Sequence, residues 1–473
     1  MIPVHAFQGR PVAVFGLARS GVTAARALAA GGADVHAWDD NEASRARAAA
    51  EGVNITDLNS EDWSGLAALI VSPGVPLTHP KPHGMVRMAN AAGVPVIGDI
   101  ELFALQLASM PEEERPRVAG ITGTNGKSTT TALVGHILQR AGMDVRIGGN
   151  IGRGVLDLEA PWSGAVYVLE LSSYQLDLTY SLRCDVAALI NLEEDHLDRH
   201  GDMESYAAAK VRIFRNQAPE DLAVIGVDDP LSRRICNRFI AEGARRVTPV
   251  SARRALSRGV YALGGALYDA TAGVARRVAE LNRAAALPGQ HNAQNIATAY
   301  AIARRFDVAP DAIADALASF PGLPHRMEIV ARQGDVLFVN DSKATNADAA
   351  KNALAVHDNI FWIAGGRAKK ETLAKLTPYF PRITKAYLIG ESAASFADQL
   401  RGAVETDMSG DLETAVARAS ADAARGGRPD PVVLLSPACA SFDQFRDFED
   451  RGDAFRSIVG RLNGVRPRQM AEA

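Results

Sequence analysis

Cysteine is scarce in this chain. Only Cys184, Cys236 and Cys439 occur among 473 residues, far apart and odd in number. They form neither a disulfide framework nor a metal-ligand spacing, which fits unpaired thiols in a reducing compartment. Net charge is scarce too: 51 basic residues against 55 acidic ones leave a formal −4. A field that weak does not hold a polyanion by electrostatics, which argues against a general nucleic-acid binder. No apolar run reaches the roughly 18 residues needed to span a bilayer. The opening MIPVHAFQGRPVAVFG lacks the basic-then-apolar layout of a signal peptide. The expectation is a cytoplasmic protein with neither membrane nor nucleic acid as partner.

Hydrophobic residues make up 47% and charged residues 22% of the chain, ordinary values for a globular protein. The length favours about three domains. Short apolar runs alternate with alanine-rich helical stretches, the rhythm of a parallel sheet covered by helices. That rhythm restarts three times. The first region runs from VAVFG to GDIELF and ends before the charged, proline-bearing segment 110–117. The second runs from VAGITGTNGKST to FPGLPHR, where Pro321, Gly322 and Pro324 break the chain. The third carries DVLFVND, NIFWIAGG, KAYLIG and PVVLLSPACAS. The predicted boundaries are 1–110, 111–322 and 323–473, and the tail after Arg461 is expected to fray.

Gly123, Thr124, Asn125, Gly126, Lys127, Ser128 and Thr129 follow an apolar strand and precede a helix. Glycines let the backbone curl so that several N–H groups face one anion. The helix N-terminus adds positive potential, and Lys127 supplies a point charge for the outer phosphates. The Ser128 hydroxyl is placed to ligate Mg²⁺. The spacing departs from a full Walker A motif, because Ile121 stands where its first glycine belongs. The run AVYVLEL delivers Glu170, and DVAALIN leads into Glu193, Glu194, Asp195 and His196. A carboxylate among apolar neighbours needs a cation or hydrogen bonds, so Glu170 is a metal candidate. Glu193, Glu194 and Asp195 read individually as a solvated turn.

ESYAAAKVRIF reads as a helix with Tyr206, Lys210, Ile213 and Phe214 on one stripe. A lysine on that stripe is either desolvated, with its amine available for chemistry, or snorkels to solvent; periodicity alone favours snorkelling. In the first region GLARSG departs from GxGxxG, with Ala18 at the middle glycine. Asp39 follows at the distance of a ribose-binding acid. A degraded dinucleotide site and a plain strand-to-helix turn are both compatible with this.

GTNGKST, GGNIG at 148–152, LELSSYQL at 169–176, EEDHLDRHG and AAKVRIF resemble the Mur ligases, ATP-dependent amide ligases of cell-wall precursor synthesis. GDIELF, GLPHR, NDSKATN at 340–346 and LSPACASFDQFRDFEDRG at 435–452 are similar to the family members that add D-glutamate. The resemblance implies an α/β fold of three domains. A Rossmann-like N-terminal domain takes the UDP-substrate, a central P-loop ATPase domain follows, and a Rossmann-like C-terminal domain brings the amino acid. It implies a monomer using ATP, two Mg²⁺ ions, UDP-N-acetylmuramoyl-L-alanine and D-glutamate.

By the same resemblance Lys127 and Ser128 hold ATP and its metal. Glu170, His196 and Lys210, the last as a carbamate, complete the metal shells. Asn292, Asn295, Arg326 and Asp341 make further ATP contacts. Arg19, Ser20, Asp39, Asp40 and Ser72 line the UDP site, with Asn150 and Gln175 towards the sugar. Asn41 stands where some members carry arginine. Thr345, Lys369, Ser441 and the Phe448 backbone bind D-glutamate, with Lys343 near the acyl phosphate. GGRAKKE offers Lys370 as well as Lys369. Ser441 also reads as a helix N-cap, and Cys439 as a small packed residue. Three other readings stay open: a sister or folate-type ligase, a nucleotide-gated binding protein, and an NAD-dependent oxidoreductase.

Overall fold

Aliphatic pentads framed by glycine and polar turns become buried strands, and the alanine-rich stretches after them become the covering helices. In the computed structural model, which describes residues 1–368, 372–462 and 464–467, the strands form three sheets. The first is fully parallel: β1 (Pro11–Phe15), β2 (Asp34–Trp38), β3 (Leu69–Val71) and β4 (Val96–Ile97), in the order β2-β1-β3-β4.

The central sheet holds β5 (Arg117–Thr122), β6 (Asp144–Gly149), β7 (Ala165–Glu170), β8 (Val186–Leu189), β9 (Leu222–Gly226) and β10 (Arg246–Ser251), all parallel. β11 (Val260–Leu263) continues parallel to β10, and β12 (Ala266–Asp269) and β13 (Arg276–Glu280) add an antiparallel edge. The order is β13-β12-β11-β10-β9-β8-β5-β7-β6. The chain leaves β5 for β6, returns to β7 beside β5, then crosses to β8 on its other side. That switch opens a crevice beyond the carboxyl ends of β5, β7 and β8, where ligands of open α/β sheets gather.

The third sheet contains β14 (Glu328–Gln333), β15 (Val336–Asn340), β16 (Ile360–Gly365), β17 (Ile383–Ile389), β18 (Thr406–Gly410), β19 (Val432–Leu435) and β20 (Arg466–Pro467). Its order is β18-β17-β16-β19-β15-β14-β20, parallel except around β14. The expected α/β architecture with mostly parallel sheets is what forms. One expectation changes: instead of fraying directly after Arg461, the backbone at Arg466 and Pro467 pairs with Ala331 and Arg332. Two-strand pairing on an open edge satisfies backbone groups that β14 would otherwise expose.

The chain divides into two compact units. One comprises 1–283 and 292–318, the other 284–291 with the remainder from 319. Within the first unit, the four-stranded and nine-stranded sheets share one apolar core. Phe103, on the helix Asp99–Ala108, packs its ring 4.9 Å from that of Tyr167 in β7. Thr23 donates to the Asp157 carboxylate across the same seam, and Ile2 N–H to Leu156 O. Fully burying a side chain such as Phe103 is worth about 1.5–3 kcal/mol. Among the described residues no helix is long and apolar enough to cross a membrane.

Candidate active site

The loop after β5 is shaped by glycine. Gly126 has φ 83°, and a Cβ there would lie 2.2 Å from Asn295 Oδ1 on the helix Gln290–Arg305. Only glycine permits that conformation and that approach. The helix Lys127–Arg140 starts immediately afterwards, and no side chain caps it. The first N–H groups of a helix lack partners in its own ladder, and its dipole favours an anion there. Asn191, just past β8, braces the loop: its carbonyl accepts from Thr124 N–H at 3.0 Å and its side chain from Asn125 N–H at 2.9 Å. Asn125 reaches the Glu193 carboxylate at 2.9 Å. Lys127 Nζ donates to the Gly123 and Thr124 carbonyls at 3.0 and 2.9 Å. Ser128 is buried and Thr129 half-buried. Asn292 accepts from Asn295, and Thr130 donates to Asn295 Oδ1.

Lys210 does not snorkel; it is 1% exposed. The helix Met203–Val211 presents it inward and tightens to a 3₁₀ turn at Arg212, so the expected helix ends earlier than the sequence pattern. Its Nζ donates to Gly123 O at 2.8 Å and lies 4.7 Å over the Tyr206 ring. Burial first, and then the Lys127 charge, push this amine well below the ordinary lysine range. Glu170, at the end of β7, is equally buried. Its Oε1 accepts from Asn150 Nδ2 at 2.8 Å, and its Oε2 has no hydrogen-bond partner. His196 has φ 55°, is half-exposed, and sits within electrostatic reach of both Lys127 and Lys210. Burial lowers its pKa. Lys127, Glu170, His196 and Lys210 thus converge at the crevice.

In the first sheet, Gly21 packs so tightly on β1 that a Cβ would meet Gly16 O at 1.9 Å. Asp39 accepts from Leu17 N–H at 2.6 Å and Asn41 N–H at 2.8 Å, closing the loop after β1. Ser72 donates to Gly16 O at 2.6 Å. Asp40 lies 3.2 Å from His83, and Asn41 caps the next helix. Arg19 and Ser20 open the helix Arg19–Ala30 at the surface end of the same turn. Gln175 is buried, accepts from Ser172 in a capping box and donates to Asp99.

The second unit gathers another polar set around the ends of β15 and β19. Asp341 is buried and accepts from Met327 N–H and the Ser436 hydroxyl. Burial raises its pKa to about 7, with Arg326 opposing the rise. Lys343 Nζ lies 3.6 Å over the Phe448 ring, and Ser342 donates to Phe448 O at 2.9 Å. Thr345 follows in the same loop, its N–H bonded to Lys343 O. Ser441 is buried but caps no helix, because the helix Phe448–Gly460 starts seven residues later with Asp447 as its cap. Cys439 is fully buried against Ser392. Lys369 and Lys370 lie outside the described residues.

Asp341 predicts a pH effect. The unfolded chain releases this proton near pH 3.8 and the folded one near pH 7. Between those values the folded state holds the extra proton, so raising pH costs stability. Asp341→Asn should therefore gain stability over the parent above pH 7 in denaturant titrations. The gap should close as pH falls towards 4; a pH-independent gap would contradict this assignment.

Comparison with known proteins decides the family. Residues 121–303 match the Mur ligase middle domain, and 325–439 the Mur ligase glutamate ligase domain. The chain is 59% identical over 462 residues to the UDP-N-acetylmuramoylalanine–D-glutamate ligase of Phenylobacterium zucineum, covering 98% of each chain. Its identity to the enzyme of that name from Rhizobium etli is 53%, again over 98% of each. The chain belongs to the Mur ligases, in the UDP-N-acetylmuramoylalanine–D-glutamate ligase family. The fold is also that of the UDP-N-acetylmuramate-alanine ligase of Thermotoga maritima, at TM-score 0.56 and 18% identity, covering 95% of this chain and 98% of that one.

This Mur ligase also contains polar residues that sequence reasoning did not single out. Asn191 holds the phosphate loop through its backbone and side chain, and no local pattern marks it. Arg451 is 1% exposed and donates only to neutral oxygens among the described residues, those of Ser342 and Cys439; burial lowers its pKa to about 10. Tyr174 and His200 lie inside quoted motifs, SSYQL and DRHG, yet their meeting is tertiary.

Proposed function

We propose that this Mur ligase activates a carboxylate at the loop of residues 123–129 and joins it to D-glutamate. The chain is an ATP-dependent acid–amino-acid ligase of peptidoglycan precursor synthesis. The substrate carboxylate of UDP-N-acetylmuramoyl-L-alanine attacks the γ-phosphorus of ATP, the bond to ADP breaks, and an acyl phosphate forms. The neutral amine of D-glutamate then attacks the carbonyl carbon. A tetrahedral intermediate collapses, phosphate departs, and the nitrogen loses a proton. Activation is required because an unactivated carboxylate offers only oxide as leaving group. Loop amides and Lys127 position the phosphates and neutralise charge that develops on them.

The observation carrying this reading is the convergence of the glycine-shaped loop, Lys127 and the buried Lys210–Glu170 pair at one sheet switch. Arg326, Asp341, Asn292 and Asn295 are assigned to the same nucleotide. The UDP end is assigned to Arg19, Ser20, Asp39, Asp40 and Ser72, with Asn150 and Gln175. Thr345, Lys343, Ser441 and Phe448 are assigned to D-glutamate. The deciding experiment is phosphate release that requires ATP, the UDP-sugar acid and an amino acid together, scored across D-glutamate, L-glutamate, L-alanine and diaminopimelate. Without a clear preference for D-glutamate the substrate assignment falls. Phosphate release independent of the amino acid would favour a binding protein instead.

Ser128, Glu170, His196 and a carbamate on Lys210 are the residues that would hold Mg²⁺. They fit it. Glu170 Oε2 is a buried carboxyl oxygen without a hydrogen-bond partner. Among the described residues no three His, Cys, Asp or Glu side chains are grouped so as to hold a metal ion by themselves, and carbamylation would supply further oxygen ligands. The buried Lys210 amine, which burial makes easier to deprotonate, is the nucleophile that step needs: nitrogen bonds to the carbon of CO₂ and releases a proton. When bound, the cation would neutralise phosphate charge and align oxygens.

A stability measurement tests the fit. Magnesium at ten times its Kd should stabilise the parent by about 1.4 kcal/mol. Glu170→Gln should match or exceed the parent's stability without magnesium and lose that increment. An unchanged increment in thermal unfolding would remove Glu170 from the metal set.

A further inference from the structure

Behind His196 lies a chain of side chains that phosphate binding leaves without a role. His200 is buried, its Nε2 2.9 Å from Ser173 Oγ and its Nδ1 3.5 Å from Asp177 Oδ2. One face of its ring stacks on Tyr174 at 5.6 Å and 27°; Tyr206 lies 5.3 Å away. The Tyr174 hydroxyl in turn meets His196 Nδ1 at 2.9 Å. Tyr206 OH reaches Thr124 of the phosphate loop at 3.1 Å.

The order Ser173, His200, Asp177 resembles a nucleophile relay. Ser173 is only 2% exposed, in the first turn of a helix capped by Ser172, so no substrate reaches its oxygen. The relay therefore serves as a strut. The hydrogen bond between Nε2 and Ser173, with the Asp177 carboxylate facing Nδ1, pins the ring on which Tyr174 rests.

What the strut holds is a hydroxyl with two possible roles. His196 Nε2 has a second neighbour, the Asp195 carboxylate at 3.4 Å. With the ring proton on Nε2, facing Asp195, Tyr174 donates to Nδ1. With the proton on Nδ1, the Tyr174 oxygen accepts it and the Nε2 lone pair is released. A metal-ligating histidine needs an acceptor for its other N–H, and loss of such a partner typically costs 10–100-fold in affinity or activity. Phenylalanine at 174 would keep the packing and offer no acceptor.

We propose that Tyr174, seated by His200, is a positioning residue that lets His196 shift its proton to Nδ1 and give Nε2 to a divalent cation. This rests on the reading of His196 as a metal ligand.

The test is Mn²⁺ titrated into the full-length protein with ADP present and followed by electron paramagnetic resonance. Tyr174→Phe should weaken Mn²⁺ binding roughly tenfold and leave the KM for D-glutamate unchanged. His196→Ala should weaken it at least as much, and Tyr174→Phe added to His196→Ala should cost nothing further. His200→Phe, which keeps a ring but loses the Ser173 hydrogen bond and the Asp177 contact, should weaken Mn²⁺ binding in the same direction. If Tyr174→Phe binds like the parent while His196→Ala does not, the positioning role is overturned and the metal assignment stands. If His196→Ala also binds like the parent, the metal assignment itself fails. Parent-like binding by a folded His200→Phe variant would remove His200 from the strut.

Discussion

Lys210→Ala loses turnover by a factor on the order of a thousand and still folds. The amine sits fully buried between Gly123 O and the Tyr206 ring, so its removal takes a group out of the crevice and leaves the sheet intact. Methionine separates chemistry from packing, since it fills the same space with no charge to desolvate. The folded chain gives up this proton well below pH 10.5, the value near which the unfolded chain releases it. The unfolded state then binds the extra proton, so the parent gains stability as pH rises towards 10.5. Lys210→Met should lack that rise, be at least as stable at pH 7, and be equally inactive. Small carboxylic acids should restore part of the Lys210→Ala rate by supplying the missing oxygens. Parent-like turnover in Lys210→Ala would end the carbamate assignment.

Lys127→Ala should abolish formation of the acyl phosphate, again by roughly a thousandfold or more. The ammonium lies against two carbonyls of its own loop, a geometry that suits a compact point charge rather than a planar fork. Lys127→Arg should therefore rescue little. Trapping the activated acid with hydroxylamine in the absence of D-glutamate isolates this half-reaction. A variant that retains most of the trapped product would contradict the loop assignment.

The strands, their helices and the phosphate loop were legible because each depends on local order: an apolar pentad, a glycine turn, then an amphipathic stretch. Lys210 shows where such reading stops. Periodicity put it on the inward stripe, but only the loop carbonyl and the Tyr206 ring folded above it decide that its amine stays inside. Ser441 shows the opposite failure, a good capping residue after a strand whose chain takes another turn before Asp447 starts the helix. The Ser173–His200–Asp177 strut joins the helix Ser173–Asp177 to the short helix Leu197–His200, with His200 27 positions after Ser173, a distance that no local window spans. Lys369 and Lys370 cannot be separated by sequence, since both fit the same motif.

The charged stretch after Met110 looks like a place to cut the chain, yet Phe103 and its neighbours are buried in a core that runs on into the nine-stranded sheet. A fragment ending there would bare that greasy underside to water and stick to itself. Scanning calorimetry of the whole protein should accordingly resolve no more than two heat-absorption peaks, and a third would mean that the seam at Tyr167 comes apart on its own.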